Sequence, residues 1–291
     1  VKTYFDVQGD GGSGIVAQVT AQREAMTAAL AGVRHVVLIG SGKGGVGKST
    51  ATMALGQSLR RRGKTVAILD ADLNGPCQAQ MAGLEGAPWV PGLRGLAIPR
   101  RRDGLGVVSC GSFLEGAASL ELPSVAQGDE HVWRATRELT TLGQLVASID
   151  WGSLDVLLVD LPPGTESTRQ HAAFLGPRVV LVLLTIPTDV ARGVVARSLA
   201  ALRRDRAVVL GQIENMAGYY HRAEERILPL FPPPRRGELE LPLLGRIPFD
   251  PELARLCDAG WPSDAELSPP PGLEEATDNL LQALAAAEIT A

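Results

Sequence analysis

The chain has 291 residues, 45% hydrophobic and 21% charged, with a formal net charge of −4. That balance belongs to a folded globular protein and excludes wholesale disorder, collagen-like and coiled-coil chains; the slightly acidic total gives no general drive toward nucleic acid or anionic lipid. The longest apolar stretch, 179–184, is far shorter than the roughly 20 residues of a membrane-spanning helix, and no signal-peptide pattern opens the sequence, so a cytoplasmic address is expected.

In chain order, residues 1–32 predict a helical appendage, capped by Ser13 and running to about Ala31, with Ile15, Val16, Val19, Met26 and Leu30 on one stripe. Residues 33–291 then read as one domain. A buried strand at 35–40 leads through a glycine-rich loop into a helix from Lys48 to Arg62. Further apolar runs at 65–70, 104–109, 155–160, 178–184, 207–213 and 242–247 alternate with helix-like segments. This alternation predicts a three-layer α/β fold with a mainly parallel sheet and a ligand at the carboxyl ends of its strands. Segments 83–104 and 229–237 read as irregular, and a Leu- and Ala-rich helix ends the sequence near Ala287.

The glycine-rich loop matches G-x-x-x-x-G-K-[ST] as Gly42-Lys43-Gly44-Gly45-Val46-Gly47-Lys48-Ser49, followed by Thr50, and it lies between a strand and a helix, where a phosphate-binding loop must lie. Glycines let backbone N–H groups curl around phosphate oxygens, a lysine reaches the β- and γ-phosphates, and a hydroxyl can ligate Mg²⁺. Only four lysines accompany 24 arginines, and Lys43 and Lys48 share this stretch, which marks positions that require a compact ammonium. Asp70 and Asp72 close the next strand, and Asp160 closes a buried strand of the Walker B kind. Carboxylates so placed can hold a magnesium shell and orient an attacking water. The sequence has no Asn-Lys-x-Asp guanine-reading motif, which favours ATP over GTP.

The second lysine, directly after the first glycine, resembles the deviant P-loop ATPases, a class containing the MinD and ParA positioning proteins, the nitrogenase iron protein and the Mrp iron-sulfur carriers. Asp160-Leu-Pro-Pro-Gly-Thr165, with Trp151 to Asp155 leading in and Val132-Trp133-Arg134 upstream, is similar to the Mrp family within that class, and the likeness runs from about Val33 to Asp250. The resemblance implies a homodimer around two ATP molecules, with Lys43 acting across the interface and Asp72 activating water. It also implies that Ser49, Asp70 and Asp160 serve magnesium, that residues 73–77 and the loop carrying Gly164 are switches, and that Asn215 reads adenine. Apo-protein or other protein partners follow from it; nucleic acid and membrane do not.

Mrp carriers hold a bridging iron-sulfur cluster on a C-x-x-C a few residues after the segment matching Glu214-Asn215-Met216. This chain has no cysteine there, so cluster carriage does not follow from the resemblance; Cys77, Cys110 and Cys257 are scattered and form no C-x-x-C pair. His221 and Glu224 fall near the missing thiolates and read either as ligands of a single ion such as zinc or as solvated loop residues. Cys77 reads as a space filler or as a thiol touching cargo. Arg60 to Arg62 suit a helix C-terminus. Arg100 to Arg102, Arg203, Arg204, Arg206, Arg235 and Arg236 form either a DNA-contacting face or solvated surface.

Overall fold

The computed structural model describes residues 15–109, 130–233, 235, 239–261 and 268–290. The expected Ser13 cap, Cys110 and Arg236 lie outside them. The strands are β1 (Val33–Ser41), β2 (Val66–Asp70), β3 (Leu96–Ala97), β4 (Gly106–Ser109), β5 (Ile149–Asp150), β6 (Leu154–Asp160), β7 (Val179–Thr185), β8 (Val208–His221), β9 (Arg226–Leu228) and β10 (Leu243–Phe249). The helices are α1 (Ile15–Ala29), α2 (Lys48–Arg61), α3 (Gln78–Met81), α4 (Glu130–Ser148), α5 (Thr165–Leu175), α6 (Asp189–Arg204), α7 (Pro251–Asp258) and α8 (Leu273–Thr290).

The main sheet has the order β10-β8-β7-β1-β6-β2-β4, with β9 antiparallel on β8; every other pairing in it is parallel. Its seven parallel strands correspond to the seven apolar runs of the sequence, and β9 is added to them. The middles of the central strands β1, β2, β6 and β7 are continuously apolar because both faces are covered, and the two-residue period sorts their side chains between two cores. Val36 and Leu38 of β1 and Leu157 and Val159 of β6 join Met26, Leu142, Phe174 and Leu199 of α1, α4, α5 and α6. Val37, Ile39, Val156 and Leu158 point the other way, toward Leu55, Leu256 and Leu280 of α2, α7 and α8. Helix α1 lies on the first layer, where Gln22 donates from Nε2 to the Thr140 carbonyl of α4 at 2.8 Å.

From β1 the chain crosses one face through α2 to β2, passing over β6; from β6 it crosses the other face through α5 to β7, passing over β1. The two crossovers diverge beside the ends of β1 and β6. A crevice opens there, at the switch point where doubly wound sheets bind ligands.

Three features differ from the sequence reading. The strand read at 207–213 does not end there: β8 leaves β7 at Glu214 but continues through Asn215 to His221, because β10 and then β9 keep it paired. Arg101 is neither DNA-facing nor solvated; it is 6% exposed, and its Nη1 donates to the carbonyls of Ala82 at 2.8 Å and Trp261 at 2.5 Å. The Arg60–Arg62 cluster does more than meet a helix terminus, since Arg62 donates from Nε to Asp278 of α8 at 2.7 Å and Arg60 from Nη2 to the Asp103 carbonyl at 2.8 Å.

Candidate functional site

Strand β1 ends at Ser41, α2 begins at Lys48, and the intervening glycines turn the chain over the crevice. Two of these glycines are dictated by close packing. Gly47 has φ +74°, and a Cβ there would lie 2.4 Å from Asn215 Nδ2; a Cβ at Gly42 would lie 2.3 Å from Val194 Cγ1. The loop walls a cavity of about 280 Å³ lined by residues 43–50 with Ser41, Asp72, Cys77, Met81 and Pro163. Two other cavities, of about 310 and 250 Å³, open elsewhere, around Arg23 and Gly176, away from every residue singled out for phosphate chemistry.

Beneath the loop, Asp70 and Asp160 are register partners at the ends of β2 and β6, and both are fully buried. Lys48 Nζ lies 2.5 Å from Asp160 Oδ1, and Thr52 Oγ1 donates to the same oxygen at 3.3 Å. Gln78 Nε2 donates to Asp160 Oδ2 at 2.9 Å and to the Ser49 carbonyl at 3.0 Å. Asp70 Oδ2 accepts from the backbone N–H groups of Cys77 (2.8 Å) and Gln78 (3.0 Å) and from Ser109 Oγ (3.1 Å), while Oδ1 accepts from Asp72 N at 3.2 Å. Burial first, and then the neighbouring Asp160, push the Asp70 carboxyl up to about 7. Asp70 thus anchors the 72–78 loop, whereas Asp72, half-buried, faces the cavity and accepts from Gly75 N at 3.2 Å. Gly164 donates its N–H to the Ser41 carbonyl at 3.0 Å, which ties the start of α5 to the rim of the loop.

Asn215 donates from Nδ2 to the Val46 carbonyl at 2.8 Å and so braces the phosphate loop from β8. Its predecessor Glu214, 2% exposed, is clamped by Arg192 Nη2 of α6 at 2.7 Å and Arg246 Nε of β10 at 2.9 Å. Glu214→Ala leaves these guanidiniums without the carboxylate they enclose. It is expected to cost about 3–5 kcal/mol of stability, as losing one partner of a buried ion pair does. Urea unfolding checks this, and a loss under about 1 kcal/mol contradicts it.

The donors fit a magnesium nucleotide. Ser49 offers a hydroxyl and Asp160 a carboxylate, and no group of three or more His, Cys, Asp or Glu that could hold a metal ion by itself occurs among the described residues. Mg²⁺ takes few protein oxygens in such sites and fills its octahedron with phosphate and water.

A family model described as the NUBPL iron-transfer P-loop NTPase, of the ParA group, matches residues 32–285. The chain belongs to this family. The cytosolic Fe-S cluster assembly factor NUBP2 of Bos taurus is 38% identical over 251 residues, which cover 79% of this chain and 85% of that protein. The iron-sulfur cluster carrier protein of Aquifex aeolicus is 35% identical over 235 residues, covering 79% of this chain but 62% of that longer protein. A nucleotide-binding protein from Archaeoglobus fulgidus, solved with ADP, matches with a TM-score of 0.66 at 28% identity, over 82% of this chain and 91% of that one. MinD from Pyrococcus horikoshii, complexed with Mg-ADP, shares the fold, with a TM-score of 0.56 at 21% identity over 88% of this chain and 98% of that one. No helix among the described residues is long and apolar enough to cross a membrane.

His221 and Glu224, read from the sequence as ligands of a single ion or as solvated loop residues, lie at the end of β8 and just beyond it. His221 closes that strand, and its Nδ1 lies 3.8 Å from Glu224 Oε1, with both side chains well exposed. Glu224 pairs instead with Arg226. The described thiols, Cys77 and Cys257, stand on other elements, at the start of α3 and within α7. Burial pushes Cys77 up to about 11, against a smaller opposing effect of its hydrogen bond with the Ser49 side chain, and pushes Cys257 up to about 12. Thiolate, the form that ligates metal, is therefore scarce at both near neutral pH. Sequence reasoning passed over Gln78, Glu214, Arg192 and Arg246. None stands in a phosphate-loop pattern, and only the Glu214-Asn215 neighbourhood carried a signal.

Proposed function

We propose that the chain is a homodimeric Mg-ATPase that works in iron-sulfur cluster assembly or delivery without the usual cluster cysteines. The observation that carries this is the Lys48 ammonium held against Asp160 in the floor of a phosphate-loop cavity that Asp72 also faces. Lys48 would exchange Asp160 for the β- and γ-phosphate oxygens as ATP enters, while the N–H groups of the 42–50 loop wrap the phosphates. Ser49 and Asp160, backed by Asp70, would hold the magnesium ion, which when bound neutralises charge on those phosphates. Asp72 would orient the attacking water and take its proton. Gly164 would turn its N–H from Ser41 to the γ-phosphate, and the Asn215 amide would meet the adenine edge. Lys43 would reach the phosphates bound by the partner protomer. A loop held by a phosphate is released on hydrolysis, so residues 73–77 and the start of α5 would report the nucleotide state.

A second reading keeps the same engine for an ATP-gated docking switch that carries no cluster. It is favoured by the missing C-x-x-C after Met216. Anaerobic purification and reconstitution with iron and sulfide, followed by measurement of iron and acid-labile sulfide per dimer, separates the two. A stoichiometric cluster on an ATP-hydrolysing dimer supports delivery. A colourless, iron-free dimer that still hydrolyses ATP supports the docking switch.

A further inference from the structure

Gln78 is fully buried, yet it is an amide. Its Nε2 is committed to two groups that can only accept, the Ser49 carbonyl at 3.0 Å and Asp160 Oδ2 at 2.9 Å, and its backbone N–H binds Asp70 Oδ2 at 3.0 Å. The two acceptors fix the orientation of the amide, because a flipped amide would set oxygen against oxygen. Its other heteroatom, Oε1, is buried with no hydrogen-bond partner. Native structures seldom leave a buried acceptor empty, and at a nucleotide site such an orphan marks room for a donor, a water held by a bound ion among them. Oε1 is bonded to the same carbon as Nε2, so the orphan oxygen lies beside an atom that touches Ser49 and Asp160, while the backbone N–H of the same residue holds Asp70. Those are the residues assigned above to magnesium, an ion that keeps several waters when it binds, each a strong donor.

We propose that Gln78 is a positioning residue of the nucleotide site: its amide nitrogen fixes the Asp160 carboxylate against the phosphate loop, and its unpaired oxygen accepts a hydrogen bond from a water carried on magnesium. This rests on the Mg-ATP reading above and adds a residue to it. Gln78 directly follows the 73–77 loop and opens α3, so the contact would also make that loop sense whether the metal is present.

The test is the affinity of the full chain for ADP, measured by calorimetry with magnesium and with EDTA, for wild type, Gln78→Met and Gln78→Glu. Gln78→Met keeps the volume and removes the acceptor. It is expected to shrink the magnesium-dependent gain in affinity about ten-fold more than it lowers the magnesium-free affinity, the scale of one charge-assisted hydrogen bond. Gln78→Glu keeps an acceptor oxygen but sets a second oxygen against the Ser49 carbonyl and Asp160, so it is expected to lower the magnesium-free affinity while retaining the gain. A gain unchanged in Gln78→Met, or lost equally in both variants as a merely structural role would have it, overturns the inference. Thermal melting reports folding, and if one variant does not fold, the gain in the other decides. Failure of the wild-type chain to bind ADP at all would instead overturn the Mg-ATP reading, and this inference with it.

Discussion

Lys48→Ala is expected to abolish nucleotide binding. Lys48 is 8% exposed, and its ammonium sits 2.5 Å from Asp160, so it is the cation already lodged beneath the phosphate loop. Each charge-assisted bond from such an ammonium to a phosphate oxygen is worth about 1.5–3 kcal/mol, and two of them take binding down by about 10² to 10⁴. The substitution also leaves Asp160 buried without its cation, although Thr52 and Gln78 still donate to it. The nucleotide-free chain is therefore expected to melt lower as well. Calorimetric titration with Mg-ATP, on protein shown by circular dichroism to be folded, measures the effect. Affinity within about ten-fold of wild type contradicts the assignment of Lys48 to the phosphates.

Lys43→Ala is expected to spare nucleotide binding and to suppress hydrolysis. Lys43 lines the same cavity but is half-buried, and among the described residues its side chain makes no ion pair. Removing it therefore strands no partner in its own protomer. If the ammonium acts on the phosphates of the partner protomer, it stabilises charge that develops only in the transition state, and such groups supplied in trans are worth about 10³–10⁵ in rate. A fall in kcat of at least about a hundred-fold, with ATP affinity nearly unchanged, is the expected pattern. Equal losses of binding and hydrolysis would show Lys43 to be an ordinary phosphate ligand within its own protomer.

The parts of the site that lie close together in sequence were legible there. Residues 42–50 must be glycine-rich, must follow a strand and must open a helix, and these local demands appear as a nine-residue pattern. The central strands were equally plain, because the middle of a strand covered on both faces is an unbroken apolar run. What stayed hidden depends on contacts between distant segments. Gln78 meets Asp160 across 82 positions, and Glu214 meets Arg192 and Arg246 from two other elements. Arg101 reads in sequence as one of three exposed arginines, but the carbonyls of Ala82 and Trp261 draw it into the interior. The extension of β8 past Ile213 was missed for a related reason. Met216 lies in the left-handed region, with φ +53°, which breaks the regular strand there, and pairing with the distant β10 and β9, not the local sequence, carries the strand onward.

The measurement that tests the central claim most directly is the rate of Mg-ATP hydrolysis per chain as a function of protein concentration, from well below to well above the dimerisation range. A site completed by a partner's Lys43 predicts a specific activity that rises with concentration and levels off as dimers saturate, in step with ATP-dependent dimerisation by light scattering. A specific activity that is independent of concentration, or a monomer at every concentration in the presence of ATP, would contradict it.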